Sequence, residues 1–471
     1  MQHSQTLLWY DLETFGLHNQ YDKIAQFAAI RTNTDLEIIQ EPIVLYCKIP
    51  EDYLPDPLAC LVTGITPQLT LEKGLPEREF MQKVFSEFSK PNTCVVGYNS
   101  IAFDDEFIRN ALYRNFFDPY VREYANGNSR WDVMNMLRAA HDLRPDGIKW
   151  PINEKGRPSF RLESLTKENG ISHEDAHDAL ADVYATISVA RLVKDHQPNL
   201  YDYSFTHRSK RPLKDLVNVF NQTPFLHTSG IHTTEFGCSA LMMPITADPH
   251  NSNGVLCFDL SKDPRLLLDA TPDELREHSN LVKIGLNKCP FISPVSIFTD
   301  EVAERLHIDK QLCRKNFKRI RERHDLPSKI HATFSTPYQE STSDPDFQIY
   351  SGGFFPDTDR DRFSIIRRAT PEELMDLNLR FEDKRVSEML WRYTCRNYPE
   401  ALSTEERRKW HNFCASRLLF PPGDVMTSYQ FYTRKIKEKV ASKETTGQGK
   451  LVLKALEEYG EELHRKVIKS N

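Results

Sequence analysis

Between residue 6 and about residue 200, short β-rich apolar runs alternate with stretches of helical spacing, and this alternation limits the possible folds more than any other feature of the chain. Leu7 to Asp11, Phe27 to Arg31 and Ile43 to Cys47 read as strands. Glu77 to Phe88 has helical spacing. Thr93 to Tyr98 reads as a buried strand, being short, β-rich and broken near its end by Gly97. Asp104 to Asn115 and Trp131 to Leu143 read as helices. Ala176 to Val193 reads as a longer one, with apolar positions at Ala179, Val183, Ile187 and Ala190. Early strands followed by strand–helix alternation predict an α/β layered domain over residues 1–200.

The texture then changes. The long helix is expected to stop around Gln197-Pro198-Asn199-Leu200. Residues 201–350 are rich in turn signals, with β-type runs at Gly254 to Leu260 and Leu281 to Gly285, and predict a small, mostly β domain with one or two inserted helices. Residues 351–471 predict a helical domain from Pro371 to Leu377, Lys384 to Arg396, Thr404 to Leu418, Val425 to Val440 and Gly449 to Val467, with Gly447-Gln448-Gly449 as an inter-helix turn. A chain of 471 residues has room for two to four such domains. Its formal charge of −6 argues against a protein that coats nucleic acid indiscriminately, so any such contact must come from local basic patches. No apolar stretch of about 18 residues predicts a membrane span, and the N-terminus lacks a signal-peptide layout. Nine cysteines without a C-x-x-C pair read as reduced thiols of a cytosolic protein.

Acidic residues are dispersed through the first region. On a strand, positions i and i+2 share a face, so Asp11 and Glu13 would present two carboxylates side by side. Such a pair is costly to bury without cations; the alternative is a strand running into a polar turn at Thr14-Phe15-Gly16. Asp104 follows the buried strand where a helix begins. It and Asp105 suit the first helical turn electrostatically, and Asp104 could equally be presented at the sheet edge. His177 and Asp182 lie five residues apart, about 140° around a helix, so the histidine would sit at or before the first turn and Asp182 on the helix face. Asp178 reads as helix N-terminal charge. Acids this dispersed act together only if they converge on hard cations, and a nearby histidine suggests a base that activates water.

The order D-x-E, N-x-x-x-F-D, H-x-x-x-x-D resembles the DEDDh exonucleases, the histidine branch of the DnaQ-like superfamily with its RNase H-like fold. The stretches Tyr-Asp-Leu-Glu-Thr-Phe-Gly at 10–16, Tyr-Arg-Asn-Phe-Phe-Asp-Pro-Tyr at 113–120, Asn-Ser-Arg-Trp-Asp at 128–132 and Pro-Ser-Phe-Arg-Leu-Glu at 158–163 are similar to the bacterial exonuclease I family over nearly the whole length. The resemblance implies an RNase H-like α/β exonuclease domain, a small β-rich SH3-like domain and an all-α C-terminal domain. It implies Asp11, Glu13, Asp104 and Asp182 as ligands of two Mg2+ ions, for which Mn2+ can substitute, and His177 as general base. It also implies 3′-to-5′ degradation of single-stranded DNA to 5′-mononucleotides in DNA repair and recombination. Leu12 stands where that family has tyrosine, and is expected to point away from the metals.

Substrate grip is expected from residues 109–167, where eleven Lys or Arg face seven Asp or Glu with aromatics interleaved. Tyr120 and Tyr124 are the stacking candidates, whereas Phe116, Phe117 and Trp131 suit a core. Arg161, in a motif resembling the family's substrate-binding arginine, is the first choice for a phosphate contact, followed by Arg109 and Arg138. Thr14 and Phe15, beside the first acids, are expected to meet the terminal nucleotide together with Glu13. The stretch Lys310 to Arg323 has seven basic residues and one acid, with Cys313, Phe317 and Ile320 on one face. The resemblance suggests that this helix and Arg144 help dock the acidic C-terminal tail of single-stranded DNA-binding protein on a monomeric, cytoplasmic bacterial enzyme. A DEDDh exoribonuclease and a non-catalytic single-strand-binding protein are the alternatives. The roughly 270 further residues favour the DNA enzyme over single-domain ribonucleases, and the retained acids and histidine favour catalysis.

Overall fold

The structure is a computed structural model that describes residues 4–173, 177–278, 280–335, 342–376, 379–421, 427–443, 445 and 447–468. Its first region is a five-stranded sheet of order β3-β2-β1-β4-β5, with β1 Thr6–Thr14, β2 Ile24–Thr32, β3 Ile43–Tyr46, β4 Thr93–Gly97 and β5 Ser129–Asp132. The hairpin side is antiparallel, and β4 and β5 run parallel to β1. The helices are α1 Pro57–Thr63, α2 Pro67–Lys73, α3 Glu77–Phe88, α4 Asp104–Arg114, α5 Val133–Leu143, α6 Leu162–Glu168, α7 Ala179–His196 and α8 Pro198–Thr206. This is the expected α/β layer.

The twofold period of β1 divides its side chains between two cores. Leu8, Tyr10 and Leu12 pack with Phe80, Val84, Phe88 and Phe107 from α3 and α4. Leu7 and Trp9 pack on the other face with Val183, Ile187 and Ala190 of α7. By the same alternation the next two residues on the α7 face are Asp11 and Glu13. Leu12 therefore does point away from them.

The second region is an antiparallel sheet of order β10-β6-β7-β8-β9, built from β6 Phe225–Thr228, β7 Ser239–Ala247, β8 Gly254–Asp259, β9 Leu281–Gly285 and β10 Phe291–Pro294. Asp142 of α5 anchors it: the fully buried carboxylate accepts from Cys238 N at 2.8 Å and Ser239 Oγ at 2.6 Å. The third region is helical, with Lys384–Asn397, Thr404–Leu419, Tyr429–Ala441 and Gly447–Leu463 as its longer helices after Asp357–Arg368. Trp410, Tyr432, Leu453 and Tyr459 from these helices share a core with Phe15, Ala25, Tyr53 and Leu54 of the first region.

Several expectations need correction. The long helix does stop, at His196, but α8 begins at Pro198, because proline suits the first helical turn. Among the described residues six helices, not one or two, accompany the second sheet: Lys210–Leu213, Arg265–Asp269, Pro272–His278, Asp300–Arg305, Lys310–Arg321 and Leu326–Phe334. Gly447-Gln448-Gly449 forms the first turn of a helix instead of a loop. Helices α1 and α2 were missed although both open on an N-cap followed by proline, Asp56-Pro57 and Thr66-Pro67, and are followed by glycine. Ala176, Leu377 and Val425, expected at helix ends, lie outside the described residues. All nine cysteines are buried and unpaired, and no described helix is long and apolar enough to cross a membrane.

Candidate metal centre and nucleic-acid groove

Asp11, Glu13 and Asp182 converge, each offering one carboxylate oxygen, with all three oxygens within 4.8 Å of one another. Two come from one face of β1, where the pairing register to β2 shifts between Glu13 and Thr14 as the strand leaves the sheet. The third comes from the first turn of α7, the helix that packs across that face. Asp178 caps this helix, its carboxylate accepting from Leu180 N and Ala181 N, both at 3.1 Å. Asp104 opens α4 and is not one of the three converging oxygens, yet its charge acts on both Asp11 and Glu13. The amides of Leu12 and of Asp104 itself hydrogen-bond its carboxyl, which ties it to the strand carrying the other acids. Asp105 is satisfied elsewhere. It pairs with Arg122 at 2.6 Å and Arg130 at 2.8 Å and accepts from Tyr10 Oη at 2.9 Å.

Crowding and burial set the electrostatics. Burial, then the neighbouring Asp104, Glu13 and Asp182, push the Asp11 carboxyl well above the usual range. Burial, then Asp182 and Asp104, push Glu13 up to about 8. Asp104 is raised by burial and by Asp105, and Asp182 by burial against the opposing pull of His173. Such a cluster holds protons or cations. The donor set, all carboxylate oxygens, suits hard divalent ions such as Mg2+ and Mn2+.

His177 lies two residues before α7 with a left-handed φ of 72°. Its half-exposed ring has Nε2 3.5 Å from Glu163 Oε1. It is thus before the first turn, as expected, and is directed toward α6. The imidazole on Asp182 belongs instead to His173, whose Nε2 is 2.5 Å from Asp182 Oδ1. Sequence reasoning missed this residue; the only available signal was a second histidine on the loop ahead of the helix.

Family models cover the three regions in turn: Exonuclease over residues 8–190, Exonuclease I SH3-like domain over 208–336 and Exonuclease I C-terminal domain over 343–463. Exodeoxyribonuclease I of Escherichia coli (strain K12) is 42% identical over 472 residues, covering 97% of this chain and 98% of its own. The chain belongs to the exodeoxyribonuclease I family. Like its relatives it is a hydrolase, an exonuclease. The solved E. coli exonuclease I in complex with a dA16 oligonucleotide superimposes with a TM-score of 0.93 at 41% identity, covering 98% of this chain and 100% of that one. A solved SSB/exonuclease I structure in complex with the inhibitor CFAM has a TM-score of 0.91 at 41% identity and covers 98% and 100%. The SH3-like assignment agrees with the antiparallel second sheet, and the C-terminal model with the helical third region.

In this exonuclease a groove of about 1970 Å³ runs between all three regions. The first region supplies Arg109, Tyr120, Tyr124 and Arg130, the second Lys210 and Lys288, the third Tyr350 and Phe354. Tyr124 is 68% exposed. Tyr120 lies beneath the Arg109 guanidinium, 5.3 Å from ring centroid to Cζ. Arg109 is itself engaged, by Glu123 at 2.8 and 3.0 Å and Glu106 at 2.8 Å. Arg138 donates to Asn135 Oδ1 at 2.7 Å and covers the ring of Phe160. Arg161 is exposed at the start of α6 and makes no ion pair among the described residues. Phe15 is 1% exposed and packs beside Tyr53, while Thr14 Oγ1 donates to Gly16 O at 2.7 Å; neither side chain stands out as a wedge. Phe116, Phe117 and Trp131 are all core. Arg144 ends α5 and donates to Leu143 O, and Cys313 and Ile320 face inward from the basic helix.

Proposed function

We propose that this exonuclease removes 5′-mononucleotides from the 3′ end of single-stranded DNA, with Mg2+ or Mn2+ held by Asp11, Glu13, Asp104 and Asp182. The observation that carries the reading is the convergence of three carboxylate oxygens within 4.8 Å, in a chain matched along its length by exonuclease and exonuclease I domain models. When bound, a pair of such ions supplies charge stabilisation for the attacking and leaving oxygens of an in-line displacement. The chain does the rest. Glu13 and Asp11 hold their carboxylates parallel because β1 fixes them two residues apart, and α7 brings Asp182 against them. His177 Nε2 takes a proton from the attacking water; its place on the chain leading into α7 and its half-exposed ring leave it free to turn from Glu163 toward the carboxylates. The backbone at Thr14 and Phe15, directly after Glu13, borders the terminal nucleotide while both side chains stay turned into the protein. Arg161 and Arg138 hold phosphates, Arg109 exchanges carboxylate partners for phosphate, and Tyr120 and Tyr124 stack on bases.

The oligonucleotide-bound and SSB-bound relatives support single-stranded DNA and single-stranded DNA-binding protein as partners, with Arg144 and the helix Lys310–Arg321 as the basic surface for the latter. A monomer working in the bacterial cytoplasm in DNA repair and recombination fits this reading.

The test is digestion of a 3′-hydroxyl single-stranded DNA, its duplex and the matching RNA, each with Mg2+ or chelator. Mononucleotides are expected from the single-stranded DNA with Mg2+ alone. Release from RNA only, or release in chelator, would overturn the proposal. His177→Ala is expected to lower turnover by at least about a hundredfold with metal binding retained; unchanged turnover removes it from the base role.

A further inference from the structure

His173 is built into the protein between two helices. Its side chain is 3% exposed. Nε2 meets Asp182 Oδ1 on α7 at 2.5 Å, and Nδ1 meets Thr166 Oγ1 on α6 at 3.2 Å. Thr166 is itself 1% exposed, and its hydroxyl also reaches the α6 carbonyls of Leu162 and Glu163, both at 3.0 Å. That hydroxyl has one hydrogen. If it goes to a carbonyl, Nδ1–H donates to Oγ1. If it turns to Nδ1, the neutral ring carries its hydrogen on Nε2. In this second arrangement Nε2–H donates to Asp182, and in both Nε2 is hydrogen-bonded to Oδ1. A carboxylate on the first turn of a helix has rotational freedom at both side-chain torsions. A donor held from behind by a buried hydroxyl removes that freedom and fixes the plane in which the carboxylate faces Asp11 and Glu13.

We propose that His173 is a positioning residue: it orients the Asp182 carboxylate for the divalent cation and is distinct in role from His177. The inference rests on the reading of Asp182 as a ligand. Partners that orient a ligand from behind are worth 10- to 100-fold in metal affinity when removed. Glutamine can place its amide nitrogen close to where Nε2 stands, and so keep the donor to Asp182; asparagine is too short to do so.

The test is calorimetric titration of Mn2+ into the full-length protein and its His173→Ala, His173→Gln and Asp182→Asn variants, with melting in chelator as the folding control. His173→Ala is expected to weaken Mn2+ binding about tenfold and to lower kcat while KM for single-stranded DNA stays within about twofold. His173→Gln is expected to recover most of the affinity. Wild-type affinity in His173→Ala, or a His173→Gln protein no better than alanine, overturns the inference. If His173→Ala does not fold, His173→Gln against His173→Asn decides it: equal affinities overturn it. Should Asp182→Asn bind Mn2+ like the wild type, the ligand reading itself fails, an outcome separable from failure of His173 alone.

Discussion

Glu13 shows how one residue can carry both the instability and the purpose of a site. Its ordinary value of 4.5 rises to about 8 through burial, then Asp182 and Asp104. A carboxyl whose folded value is raised binds its proton more tightly in the native protein than in the unfolded chain. Its contribution to stability is therefore complete below pH 4.5 and is lost as pH rises through about 8. At about 1.4 kcal/mol per unit the loss is on the order of 5 kcal/mol if no cation compensates. In chelator the melting temperature is expected to fall between pH 5 and pH 8.5, and Glu13→Gln should flatten that fall. Saturating Mg2+ should remove most of the wild-type slope, since the cation replaces the proton. A wild-type melting temperature that rises through this window in chelator would contradict the assignment. Asp105 is the contrast one residue from Asp104: two buried arginines satisfy it, so it asks for no cation.

At the scale of elements, the site is a strand end meeting a helix start, and that geometry explains what the sequence disclosed. Side-chain direction on β1 follows from its twofold period, so Asp11 and Glu13 could be placed on one face from spacing alone, as could Val183, Ile187 and Ala190 on the buried face of α7. Asp178 could be assigned to the helix end because a cap acts on its own neighbours. His173 could not be read this way. Its meeting with Asp182 depends on how the connection from α6 to α7 folds back, and no periodicity encodes that. Helices α1 and α2 went unread for another reason: at seven residues each they are too short to show a period, and only their caps announce them. The capping role of Asp178 is testable. Asp178→Ala removes the acceptor for Leu180 N and Ala181 N, a loss of about 1 kcal/mol at the helix end. Hydrogen exchange at those two amides is expected to accelerate about fivefold, while Mn2+ affinity falls by less than in Asp182→Asn. An affinity loss equal to that of Asp182→Asn would make Asp178 a ligand and not a cap.

Across the whole molecule, the helical region is bound to the first region by charge as well as by apolar packing. Arg396 bridges Asp52, just ahead of α1, and Asp346, at 2.7 and 2.6 Å, and Arg417 joins both at 3.3 Å. Beside this network the rings of Trp410, Tyr432 and Tyr459 pack in one core with Phe15 and Tyr53, and Tyr53 Oη lies 3.1 Å from Phe15 O. The chain that leaves Glu13 is thus held by the far region, which gives the third domain a part in shaping the site. Burial alone would raise the Asp52 carboxyl, but the Arg396 and Arg417 guanidiniums outweigh it and hold the group well below its ordinary 3.8. A depressed folded value works in the opposite direction to Glu13: the stabilisation is present above 3.8 and is lost as pH falls through the folded value. The contribution of the Asp52 ion pairs to docking should therefore stay constant between pH 5 and 8 and be lost only in strong acid. Asp52→Asn keeps the shape but strands part of two buried guanidinium charges, a cost of about 3 to 5 kcal/mol. Limited proteolysis at pH 7 is expected to cut this variant within residues 343–463 much faster than the wild type. Its KM for single-stranded DNA should rise as the groove loses its third wall. Wild-type proteolysis and KM in Asp52→Asn would show that apolar packing alone joins the regions.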